Sequence, residues 1–107
     1  MPHVADVTDL LPEIVARLVD NDPRVRAAAA FVGGRLLTEA DDRTLAARLR
    51  DSHPEVARAA GFALAELGRS GIEMLERQAV SPHRAAASAA LEALERVRIG
   101  RCQYARV

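Results

Sequence analysis

The chain has no tryptophan, no lysine, one cysteine and three aromatic residues, Phe31, Phe62 and Tyr104. With Cys102 alone, an intrachain disulfide is excluded. The longest apolar runs fall far short of the roughly 20 residues that cross a bilayer, so no membrane partner is expected. The opening MPHVADVTDLL lacks a basic segment followed by an apolar core, so no signal peptide is expected and the expected location is cytoplasmic. Fifteen arginines balance fifteen acidic residues to a net charge of zero, and a binder of nucleic acid or acidic membrane usually carries a basic excess. No glycine-rich phosphate loop, Ser/His/Asp order or zinc-type spacing is present, and no cofactor is expected.

What the chain does have is alanine and a repeat. Its 107 residues make one domain, half of them apolar, with alanine carrying much of that share. A buried CH₂ is worth about 0.8 kcal/mol, so an alanine-rich core gains little per residue and must draw on many small helix contacts. In Asp51–Gly68, DSHPEVARAAGFALAELG, the residues Val56, Ala59, Ala60, Ala63, Leu64 and Leu67 recur on one helical face behind Pro54. The same unit stands 31 residues earlier: Pro23 answers to Pro54, Val25 to Val56, Ala28 and Ala29 to Ala59 and Ala60, Phe31 to Phe62, and Leu36 to Leu67. The preceding helices keep the same offset, Ile14 with Leu45, Arg17 with Arg48, Leu18 with Leu49 and Asp20 with Asp51.

The expected architecture is an all-α solenoid of antiparallel helix pairs, about five helices in all, with a half unit at 8–20, repeats at 23–51 and 54–80, a degenerate last helix at 82–99 and a tail without clear structure at 100–107. Asp22 is the expected N-cap of the second helix, Gly33-Gly34 is expected to end or bend it, Ser70 to cap the fifth helix, and Gly100 to stop the last. The apolar face of that last helix aligns best at an offset of 27, Ala87 with Ala60, Ala90 with Ala63, Leu91 with Leu64 and Leu94 with Leu67.

The pattern D-x-x-P-x-V-R/A-x-A-A, carried by Asp20, Pro23, Val25, Arg26, Ala28 and Ala29 and again by Asp51, Pro54, Val56, Ala59 and Ala60, resembles HEAT repeats, in particular the short bacterial PBS-lyase HEAT-like form. The resemblance implies a right-handed α-solenoid that binds proteins; relatives also serve as lyase or chaperone subunits, bind DNA or carry metal-dependent chemistry.

Five constellations are candidates for function. Arg17 and Arg48 share a register on the first helices of the repeats, Arg77 falls within one residue of it, and the three could form an arginine ladder, with Glu13 and Glu73 each four residues before an arginine and so placed to pair with it. Glu13, Arg17, Arg48 and Arg77 are therefore the expected partner-binding residues of a groove on the inner helices. The small pairs Ala30/Gly34, Gly61/Ala65 and Ala89/Ala93 could form a smooth outer stripe for a homodimer or another helix. Phe31 and Phe62 are expected to wedge between repeats. His53 and His83, 30 apart, could meet near Glu55, but the adjacent His-Glu pairs of iron-binding relatives are absent, and ordinary helix-start roles are expected. Cys102 lacks a placed base. The expected function is a non-enzymatic protein-binding adaptor or accessory subunit. The expected partner is another protein; a homodimer is possible, through the stripe or the edge Ala90, Leu91, Leu94 and Val97. A nucleic-acid binder or a lyase-type subunit is the alternative.

Overall fold

The computed structural model describes residues 7–37 and 41–105, with side chains described for 10–37 and 41–100. Among them are six helices and no strand: α1 (Val7–Arg17), α2 (Pro23–Leu36), α3 (Asp42–Arg48), α4 (Pro54–Glu66), α5 (Arg69–Ala79) and α6 (Arg84–Ala105). They form three antiparallel pairs, α1–α2, α3–α4 and α5–α6, stacked in chain order.

The second helix of each pair starts by the same device. Asp20 Oδ1 accepts the Asp22 N–H at 2.9 Å, Asp51 Oδ1 accepts the His53 N–H at 3.0 Å, and Ser81 Oγ accepts the His83 N–H at 3.1 Å. A side-chain acceptor two residues back closes a tight turn before each helix. Asp22 then caps α2 through the Arg24 N–H, as its position before Pro23 predicts. His83 caps α6 instead, its Nδ1 accepting the Ala86 N–H at 3.2 Å.

This turn chemistry fixes the register of the third pair. Buried Ala86, Ala90 and Ala93 stand 30 residues after buried Val56, Ala60 and Ala63, not 27 as the leucine pattern suggests. Leu91 therefore takes the place of Gly61 rather than of Leu64, and is 56% exposed. Other boundaries also differ from expectation. Helix α1 begins at Val7, so Pro12 lies beyond its first turn. Ser70 lies inside α5, whose N-cap is Gly68. Gly100 does not end α6, which runs to Ala105 through most of the expected tail; the side chains of Cys102 and Tyr104 lie outside the described residues.

Large and small residues divide the packing. Leu18, Leu45, Leu49 and Leu75 come from the first helices and their ends, Leu64 from α4, and all are fully buried. They fill the layer between the two rows of helices, at about 1.5–3 kcal/mol each. Between α2, α4 and α6 the contacts are small instead: Ala30, Gly34, Gly61, Ala89 and Ala93 are all buried there, and Ala65 is half-buried. The expected outer stripe is thus the seam along which the second helices stack, and it is not free for a second chain. Gly33 and Gly34 do not break α2, because Gly34 sits where a Cβ would lie 2.7 Å from the Ala63 Cα. Helices α2, α4 and α6 pack closely along this seam, while α3 and α5 touch lightly and α1 and α3 hardly at all. A stack drawn together on one row and splayed on the other curves toward the close row, so α2, α4 and α6 line the concave side.

One ion pair ties successive turns. Arg26 Nε and Nη2 donate to the two Asp51 oxygens at 2.7 and 3.1 Å, and Nη1 donates to the Asp20 and Asn21 carbonyls at 2.7 and 3.1 Å. The Asp51 side chain is 4% exposed. Burial pushes its carboxyl up, but the Arg26 guanidinium and the His53 backbone N–H outweigh that and hold it below the usual carboxylate range. The tie is not repeated: Ala57 stands 31 residues after Arg26, and a groove of about 490 Å³ opens beside it between α4 and α6.

Two outcomes are expected. Gly34→Ala lowers stability by about 1–3 kcal/mol through overpacking, although alanine is the better helix former by about 1 kcal/mol. Gly100→Ala, with nothing within 4 Å of its added methyl, gains up to that amount; urea unfolding followed by far-ultraviolet circular dichroism separates the two. Asp51→Asn costs roughly 1–3 kcal/mol near neutral pH. Because the folded carboxyl titrates below its unfolded value of 3.8, its contribution is present above that pH and is lost as pH falls through the folded value. The gap between wild type and Asp51→Asn therefore shrinks as unfolding is measured from about pH 6 down to about pH 3.

Candidate functional site: an aromatic and arginine face on the second helices

Helix α2 turns its buried stripe toward α4, which leaves Phe31 on the concave rim. It is 58% exposed and does not wedge between repeats as its position suggests. Phe62, its counterpart on α4, is half-buried. The reason is spacing. Where backbones approach as closely as Gly34 and Ala63, no ring fits between them, and the aromatic next to the seam is turned outward. Two guanidiniums lie over the rings, Arg35 5.6 Å from the Phe31 centroid and Arg96, from α6, 4.6 Å from that of Phe62. At these distances the positive charge meets the negative face of the ring.

Phe31, Arg35, Phe62, Glu66, Arg96 and Val97 line a groove of about 570 Å³ that crosses α2, α4 and α6, with Ala65 and Ala93 at its floor. The charges that line it, Arg35, Glu66 and Arg96, and those beside it differ in how far they are paired. Arg35 Nε lies a long 3.9 Å from Glu66 Oε2. Arg58 pairs with Glu92 at 3.2 Å across α4 and α6, and Glu95 pairs with Arg98. The Glu95 carboxyl is held low, chiefly by that hydrogen bond from Arg98. Arg96 has the Phe62 ring and no carboxylate among the described residues. The 31-residue recurrence of Phe31 and Phe62 carried the signal: Phe62 packs partly against the core, as expected, and only Phe31 departs from the expected burial.

The four residues expected to bind a partner lie on the other row. Glu13 and Arg17 form an exposed pair at 3.2 Å on α1. Arg48, on α3, is half-buried, and its Nε is enclosed without a hydrogen-bond partner. Arg77 is exposed near the end of α5. Because α1 stands apart from α3, the structure brings Glu13 and Arg17 together but does not draw the three arginines into one close-packed stripe. His53 and His83 belong to the turns already described: His53 Nδ1 lies 3.2 Å from Arg26 Nη2, and His83 caps α6. Among the described residues no three His, Cys, Asp or Glu side chains come together as metal ligands. At the C-terminal edge Ala90 is fully buried, Leu94 and Val97 are half-buried, and Leu91 is exposed.

Residues 10–39 match the family model of the HEAT repeat. The match covers α1 and α2 from Leu10 onward, the pair on which the other two are stacked. No curated protein matches it. No helix among the described residues is long and apolar enough to cross a membrane.

An exposed aromatic contributes little to folding. Phe31→Ser is expected to change stability by no more than about 1 kcal/mol, whereas Leu64→Ala, fully buried, costs roughly 2–5 kcal/mol. Paired denaturation curves check this.

Proposed function

We propose that this chain is a protein-binding module, an adaptor or accessory subunit without a catalytic step of its own, and that its partner lies across α2, α4 and α6. The observation that carries this reading is Phe31. A chain with three aromatic residues holds one of them on the concave rim with more than half its surface in water. Aromatic residues and arginine are the types enriched at protein interfaces, and here they alternate along one groove. HEAT repeats commonly serve as interaction modules, which supports the same class. A general nucleic-acid role fits the face poorly, because Glu66 and Glu92 stand among its arginines.

The reading is tested by site-directed photocrosslinking in lysate of the source cells. A photoreactive phenylalanine analogue at position 31 is expected to give discrete crosslinked species, and the same group at position 77, beside the α1, α3 and α5 surface of Glu13, Arg17 and Arg48, is expected to give none. Crosslinks from position 77 alone would move the partner to that outer surface.

A further inference from the structure

The geometry points to an acidic peptide segment, one carboxylate placed next to a large apolar side chain, as the ligand class of the groove between Phe31 and Arg96. This rests on the protein-binding reading and narrows it. The argument is one of charge and shape. Three charged side chains line the groove: Arg35 and Arg96 against Glu66. Glu66 partly offsets Arg35, and the neighbouring Arg58 and Glu92 neutralise each other at 3.2 Å outside it. Arg96 is left as a single unneutralised guanidinium, its Cζ 4.6 Å from the centroid of the Phe62 ring. A guanidinium held by a ring face has lost much of its rotamer freedom while keeping its in-plane N–H groups free, the arrangement that receives a carboxylate in two parallel hydrogen bonds.

One net positive charge matches one carboxylate. A phosphate dianion would bring a second negative charge toward Glu66, and a nucleic acid strand would bring several. A basic ligand would meet Arg96 head-on. The apolar part of the ligand follows from the rest of the surface. Exposed Phe31 and half-buried Phe62 and Val97 border a volume of about 570 Å³, room for a large side chain but too open to retain one without the charged contact.

The test uses the full chain, immobilised and exposed to a displayed library of random 12-residue peptides at physiological salt. Enriched peptides are synthesised, and their affinities are measured against wild type, Arg96→Gln, Arg96→Lys, Phe31→Ser and Arg77→Gln, each first shown to be folded by circular dichroism. Enriched sequences are expected to pair Asp or Glu with Leu, Phe or Trp a few residues away. Arg96→Gln is expected to weaken them about tenfold or more, the scale of a lost charge-assisted hydrogen bond. Arg96→Lys restores part of the loss, since it keeps the charge without the planar fork. Phe31→Ser weakens them, and Arg77→Gln leaves them unchanged.

Enriched peptides without a carboxylate that still depend on Phe31 would overturn the acidic ligand while leaving the binding face in place. Acidic peptides that bind Arg96→Gln as well as wild type, or phosphorylated versions that bind far more tightly than their carboxylate parents, would overturn it too. Peptides sensitive to Arg77→Gln alone would remove both this inference and the reading it rests on, and a library with no enrichment would also count against both.

Discussion

The close approach of α2, α4 and α6 governs most of what this molecule presents to solvent. Helix axes normally lie 8–10 Å apart, the distance being set by the side chains at the contact. Here those side chains are alanine and glycine, and Gly34 rests against the backbone of Ala63. The second row is drawn in, the first row splays, and the stack curves. A ring beside the seam on α2 has nowhere to go but the concave rim, so the packing that closes the core also displays Phe31, while Phe62 stays partly packed against the core. At α6 the pattern changes: Leu91 stands where Gly61 stood, and its side chain is exposed.

The turns contribute a second constraint. Three side-chain acceptors, Asp20, Asp51 and Ser81, each bend the chain back into the second helix of a pair, and Arg26 joins the first turn to the second. Desolvating Asp51 is costly, and the bidentate guanidinium with its two further carbonyl contacts compensates it. A buried pair of this kind sets geometry more than it adds net stability: its fork geometry specifies how one repeat sits on the next. The second repeat lacks the arginine, and the groove beside Ala57 marks the place.

The proposed binding surface follows from which row is concave. Arginines recur on both rows, but those of the first helices are dispersed: Arg17 is satisfied by Glu13, Arg48 is half enclosed, and Arg77 is open to solvent. On the second row, aromatic rings hold Arg35 and Arg96 in one groove. Fixed, partly desolvated groups lose less freedom on binding than free ones, which makes this the more economical surface for recognition.

The sequence by itself determined the all-helical class, the near 30-residue repeat and the positions of most helix starts. Proline, aspartate and apolar spacing act over one or two turns, so Asp22 with Pro23, Pro54 and the Leu18/Leu49 pair could all be read from local pattern. It did not determine the register of α6, because two leucines, Leu91 and Leu94, favoured one alignment while Ser81 and His83, acting through hydrogen bonds, fixed another. Nor did it show the concave row. Whether Ala30, Gly34 and Gly61 face solvent or a neighbouring helix, and whether Phe31 is core or surface, depends on distances between elements far apart in the chain. Only the stacked structure sets those distances, by deciding which helices meet through their smallest residues.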